Sequence, residues 1–289
     1  MNRHLVTGED RIRGHDDVVL HFRVSGQGPV LIAHPGGPGT GAAFLGDLAG
    51  LDEIATVVWL DPRGTDGSTA PSDASAYRLE HYAADIEALC AGLGLERVAL
   101  LGFSHGGMVA MRHAIDHPER LSSLILLDTA PTLDDDAGVR IAAAMERRSA
   151  EPWYEEARRL IDEDAVAETD AEAMEDMLAI LPMYFHRWDA TAQEFVDGLR
   201  DATFHARVGP TWAKEQAEMD LRPELGRIST PTLVVVGEDD FICDVTAGGQ
   251  MADGIPGARL AVIPEAGHFP WVEQPSAFRD AVDEFLTGR

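Results

Sequence analysis

The 289 residues include one lysine, Lys214, and two cysteines, Cys90 and Cys243. Two thiols with no metal-ligand spacing do not make a disulfide framework, and free thiols fit a reducing compartment. No apolar run approaches the roughly 18 residues of a membrane span. The polar start MNRHLVTGEDRIRGHDD lacks the apolar segment of a secretory signal. Positive charge is also scarce: 23 Lys plus Arg stand against 50 Asp plus Glu, a formal charge of −27. Such a surface repels nucleic acid and anionic membranes, so neither is an expected partner. The expected setting is the cytoplasm. The expected partner is a small-molecule substrate, and a homodimer is left open.

What remains is an ordinary globular composition, 45% hydrophobic and 25% charged. A chain of this length buries about three quarters of its unfolded surface, so it needs no staples. VVLHFRVSG (18–26) alternates like a half-buried strand. PVLIAH (29–34), ATVVWLD (55–61), RVALLGF (97–103), LSSLILLD (121–128), TLVVVG (232–237) and RLAVIP (259–264) are short continuous apolar runs. Runs of that kind suit strands covered on both faces. Helical periodicity falls between them, at 79–94, 106–120 and 275–288. The alternation predicts a doubly wound, mostly parallel α/β sheet. Residues 131–229 break the rhythm, with no convincing strand and with Trp153, Tyr154, Tyr184, Trp188 and Trp212. They read as a helical cap inserted between core strands, leaving 1–130 and 230–289 as the core.

Gly102-Phe103-Ser104-His105-Gly106 matches G-x-S-x-G between an apolar strand and a helical pattern. The glycines allow a tight turn that lifts one hydroxyl above the sheet at a helix N-terminus. Ser104 is therefore the candidate nucleophile. A serine needs a base and the base an orienting acid; in folds with this strand–serine–helix elbow the chain order is Ser, acid, His. His268 follows the strand RLAVIP in a loop that reaches the top of the sheet. The acid should follow TLVVVG, where Glu238, Asp239, Asp240 and Asp244 are candidates, with Asp128 as a rival at the end of LSSLILLD. The oxyanion needs two backbone donors. One is the N–H of His105; the other falls in the glycine-rich loop HPGGPGTG (34–41), at Gly37. In DPRG (61–64), Asp61 and Arg63 read as turn-fixing residues, and His34 as a strand-end structural or pocket residue. No metal or cofactor is called for.

Together the elbow at Ser104, Asp240, His268 and the PGGPG loop resemble the α/β-hydrolase superfamily, from about residue 10 to the C-terminus. PGGPG (35–39) with DPRGTDGS (61–68) is similar to the proline iminopeptidase branch. GEDDFIC (237–243) resembles that family's acid segment, which puts the acid at Asp240, and AGHFPWVEQP (266–275) resembles its histidine loop. The insertion corresponds to the family's cap. Two departures bear on substrate. Pro35 stands where the branch has a histidine, and Phe241 and Trp212 stand where acids commonly hold the substrate amine. A buried ammonium without an anionic partner costs several kcal/mol, and cation–π contact recovers only about 0.5–2 kcal/mol. Glu215, Glu218 or Asp220 would have to substitute. The resemblance thus implies a serine hydrolase acting through an acyl-enzyme on a small carboxylic ester, lactone or amide. Trp153, Tyr184, Trp188, Trp212 and Phe241 are its expected pocket and cap residues. Proline-type aminopeptidase, biosynthetic acyl transferase or cyclase, and non-catalytic ligand binding are its rivals.

Overall fold

The computed structural model describes residues 5–162 and 167–288. Eight strands form one sheet: β1 (Gly8–Arg13), β2 (Val19–Gly26), β3 (Val30–His34), β4 (Thr56–Asp61), β5 (Val98–Phe103), β6 (Leu121–Leu127), β7 (Thr232–Gly237) and β8 (Arg259–Ile263). Their spatial order is β1-β2-β4-β3-β5-β6-β7-β8, antiparallel at β1–β2 and β2–β4 and parallel everywhere else. The six predicted central and C-terminal runs and the alternating run each form a strand. β1 was not foreseen, because GEDRIR is polar and almost wholly exposed and earns its place by pairing with β2. β8 corrects a second expectation. Its apolar run suggested cover on both faces, but it is the sheet edge, with Leu260 40% and Val262 39% exposed.

The two faces of the sheet feed two apolar layers, as the two-residue period of a strand requires. Ile32, Val58, Leu100, Leu126 and Val234 point to one layer, under helices α1 (Leu79–Leu93), α2 (His105–Asp116) and α8 (Val245–Gly254). Leu31, Ala33, Val57, Leu101, Leu127 and Val235 point to the other, which holds Phe278 and Val282 of α10 (Pro275–Thr287). Among the described residues, the α-helices between β6 and β7 are α3 (Asp135–Glu146), α4 (Tyr154–Asp162), α5 (Asp170–Ile180), α6 (Ala190–Gly198) and α7 (Gly209–Glu218). A one-turn helix, α9 (Pro270–Glu273), precedes α10. No helix among the described residues is long and apolar enough to cross a membrane.

Capping residues explain several of these boundaries. Thr169 and Glu172 form a reciprocal capping box at the start of α5, satisfying donors the helix cannot use itself. Gly94 ends α1 in the left-handed region with φ 69°. Pro275 opens α10, where a missing N–H costs nothing.

The turn-fixing reading of DPRG agrees with the hydrogen bonds found there. Arg63, fully buried, donates Nε to Asp85 Oδ2 at 2.7 Å and its terminal nitrogens to the carbonyls of Ala76 and His81. Asp61 accepts from the Ala42 N–H at 2.9 Å and faces His21 Nδ1 at 2.7 Å. Removing one partner of a buried pair leaves an uncompensated charge. Arg63→Met is therefore expected to cost about 3–5 kcal/mol of unfolding free energy by urea titration. A loss under about 1 kcal/mol would mean the pair behaves as a solvated one.

Candidate active site

Ser104 sits at the turn from β5 into α2 with φ 53° and ψ −121°, a backbone region a non-glycine residue enters only under constraint. Its N–H donates to Leu127 O at 2.9 Å, and its carbonyl accepts from Gly107 N and from Thr129 Oγ1 at 2.6 Å. The glycines are bare for a steric reason. A Cβ at Gly102 would lie 2.2 Å from Gly106 O, and one at Gly106 would lie 2.3 Å from Pro35 O. Neither contact is tolerable, so the pentapeptide spacing is a packing requirement.

His268 Nδ1 and Asp240 Oδ2 are 2.7 Å apart, with both residues buried. The other oxygen of Asp240 accepts from the N–H groups of Ile242 and Cys243 at 3.0 and 3.2 Å. Burial alone would push this carboxyl up, but His268 and the two backbone donors outweigh burial and hold it below the usual carboxylate range. The His268 N–H donates to Tyr184 O at 2.7 Å, and the imidazole is packed by Phe103, Tyr184 and Phe269. Asp128, the rival acid, is also buried. It accepts from Gly237 N at 2.7 Å, and burial followed by the neighbouring Asp240 charge drives its carboxyl well above the usual range. Two adjacent carboxyls thus have opposite environments, and only Asp240 faces the imidazole.

Ser104 and His268 line one small cavity of about 50 Å³ with Gly37, Thr40, Phe44, Phe103, Met177, Leu181, Tyr184 and Phe269. Gly37 adopts φ 99°, and a side chain there would strike Gly39 N at 2.7 Å. Tyr184 is the one expected pocket residue that reaches the cavity. Trp153 and Phe241 lie in an apolar cluster with Met145 and Met183. Trp188 packs beside Phe185, and Trp212 sets its ring against the His105 imidazole at 4.9 Å. Thr40, Phe44, Met177, Leu181 and Phe269 were not anticipated, because only the tertiary arrangement brings them together. A larger open depression of about 410 Å³, along Gly26, Gln27, Val30, Leu93 and Leu95, has no titratable residue in its lining.

Among the described residues, two groups of His, Cys and acid side chains each bring their ligand atoms within 4.8 Å of one another. One is the exposed set His15, Asp16 and His81, in which Asp16 Oδ2 lies 3.2 Å from His15 Nε2 and 2.7 Å from His81 Nδ1. The other is Asp240, Cys243 and His268. Burial pushes the Cys243 thiol well up, which keeps it protonated and a poor ligand.

A family model described as alpha/beta hydrolase fold matches residues 29–275. The chain belongs to the alpha/beta hydrolase fold family. A 2-hydroxy-6-oxo-6-phenylhexa-2,4-dienoate hydrolase of Comamonas testosteroni is 28% identical over 94% of this chain and 93% of its own length. A proline iminopeptidase of Lactobacillus delbrueckii subsp. bulgaricus is 26% identical over 89% of each. Among solved structures, a hydrolase from Pseudomonas aeruginosa PA01 superposes with a TM-score of 0.73 at 28% identity, over 96% of this chain and 98% of that one. These whole-length relatives make the chain an enzyme of the hydrolase class.

The two carboxyls can be separated experimentally. Asp240→Asn should lower kcat by about 10⁴-fold through loss of imidazole orientation and charge. Asp128→Asn, which copies a neutral acid, should stay within about tenfold of the parent. The reverse ranking in ester turnover would make Asp128 the acid. A second expectation concerns pH. Burial lowers His34 to about 4, His105 to about 3 and His113 to about 4 from 6.5. The unfolded chain then binds protons that the folded chain refuses, so their stabilisation is present above pH 6.5 and is lost as pH falls through these folded values. Urea midpoints should therefore drop across that window, and His113→Leu, far from Ser104, should flatten the slope. An unchanged slope in that variant would remove His113 from the account.

Proposed function

We propose that the chain is a serine hydrolase for small, neutral carboxylic esters or lactones, acting through an acyl-enzyme and needing no cofactor. What supports this most is the combination of one buried Asp240–His268 pair with Ser104 on a strained turn, both opening on the same apolar cavity. His268 takes the Ser104 proton as the oxygen attacks the carbonyl carbon. Asp240 holds the imidazole and stabilises its cation. The N–H groups of Gly37 and His105 receive the oxyanion. Collapse expels the alcohol with the proton from His268. Water then attacks the acyl carbon, with His268 as base, and frees Ser104.

The lining narrows the substrate. A space of about 50 Å³ has room for about three to five waters, which suits an acyl group of a few carbons. Its lining residues include no lysine or arginine, so an anionic acyl chain such as the dienoate in the Comamonas relative's name would lack a counter-ion. The aminopeptidase reading meets the opposite deficit. Glu215 is engaged by the Leu79 N–H at 3.0 Å, and Asp220 by Arg222. Neither is left to hold a substrate ammonium, and Glu218 is exposed and outside the cavity lining.

A panel of nitrophenyl esters, lactones and aminoacyl anilides tests the proposal. Acetyl to butanoyl esters should be the best substrates, with octanoyl clearly slower and prolyl anilide not cleaved. Ser104→Ala should lose about 10⁴-fold or more in kcat. Near-parental turnover in that variant would end the mechanism, and preference for the prolyl anilide would end the substrate assignment.

A further inference from the structure

Thr40 holds a hydroxyl that the reaction above leaves unused. The residue is 2% exposed, it lines the cavity with Ser104 and His268, and its Oγ1 has no hydrogen-bond partner. A buried hydroxyl without a partner is costly, and the cost is removed if a substrate atom receives its hydrogen. Its position is fixed from both sides. The Thr40 backbone bridges to Phe204 of the cap, and the neighbouring Gly39 carbonyl accepts from His205 N at 2.8 Å. Oγ1 lies 3.3 Å from where a Gly37 side chain would begin, beside the expected oxyanion donor. Gly37 and Thr40 thus border the cavity together, beside Ser104.

We infer that Thr40 is a catalytic residue, whose Oγ1 hydroxyl donates a third hydrogen bond to the oxyanion formed on Ser104. The proton stays on Thr40 throughout. A hydrogen bond to an oxyanion is stronger than one to the neutral carbonyl oxygen, so the hydroxyl favours the transition state over the ground state. This rests on the serine hydrolase reading of the same site.

The test compares Thr40→Val, which keeps the shape and removes the hydroxyl, with Thr40→Ser, which keeps the hydroxyl. Three readouts are taken: nitrophenyl acetate kinetics, inhibition by a trifluoromethyl ketone, and the rate of Ser104 labelling by a fluorophosphonate. Thr40→Val should lower kcat by about 10–100-fold with KM little changed. It should weaken the ketone and slow labelling by a similar factor. Thr40→Ser should stay within about threefold of the parent on all three. Thr40→Val within threefold of the parent would overturn the inference. So would equal losses in both variants, which would mean packing, or a rise in KM alone with the ketone unaffected, which would mean a substrate contact elsewhere. Failure of the parent protein to label at Ser104 would instead overturn the serine hydrolase reading.

Discussion

A single backbone conformation, that of Ser104, organises the cavity end of the sheet. Holding a non-glycine residue at φ 53° and ψ −121° costs about 1–3 kcal/mol. That strain persists only because the surroundings leave no relaxed alternative. The Ser104 N–H extends the ladder to β6, and its carbonyl is fixed by Thr129 and by the first turn of α2. The three glycines let β5, α2, the Pro35 carbonyl and Thr129 close to distances that any side chain would prevent. The sheet order follows the same logic, with β5 near the centre and β3 and β6 at its sides. From there the loops after β3 and β8 border the same cavity as Ser104, and the loop after β7 brings Asp240 to His268.

The insertion is joined to the loops that border the cavity rather than laid over them. The His268 N–H bonds to Tyr184 O, and Glu273 gathers the N–H groups of Gly267, His186 and Arg187. On the other side His205 bonds to Gly39, and Glu215 caps the start of α1. Shifting the insertion would therefore disturb the loop of His268 and the loop of Gly37 and Gly39 together. The same contacts bring Met177, Leu181 and Tyr184 to the cavity beside Ser104, so the segment that sets the size of the cavity also sets the geometry of its chemistry.

The core was legible because its signals are local. Continuous β-branched runs, the glycine spacing around Ser104 and the glycine-rich loop at 34–41 each state their own constraint within a few residues. β1 was illegible for the matching reason: GEDRIR has no apolar face, and it is a strand only because β2 offers it a partner. Beyond Gly37, Ser104 and His268, the cavity lining was legible only at Tyr184. Large aromatics in the insertion suggested a pocket, yet Trp153, Trp188 and Trp212 fill gaps between cap helices and core, where ring area is needed for packing. The residues that face the cavity with Tyr184, such as Thr40, Phe44 and Met177, are of ordinary type, and nothing in their sequence neighbourhood marks them. The choice between Asp128 and Asp240 was likewise a matter of environment. Both end or follow a core strand, and the imidazole contact with two backbone donors separates them.

That environment also bears on what leaves the site. Hydrolysis turns a neutral ester into a carboxylate, the least soluble form for an apolar cavity. No cation in the lining would hold it, and the surrounding formal charge of −27 gives an anion no reason to stay. A neutral substrate enters such a site by apolar contact, and the charge created by the reaction works against product binding. In the proposed reaction, the scarcity of lysine and arginine and the apolar lining thus favour the same direction of flow, from a neutral ester to a released acid.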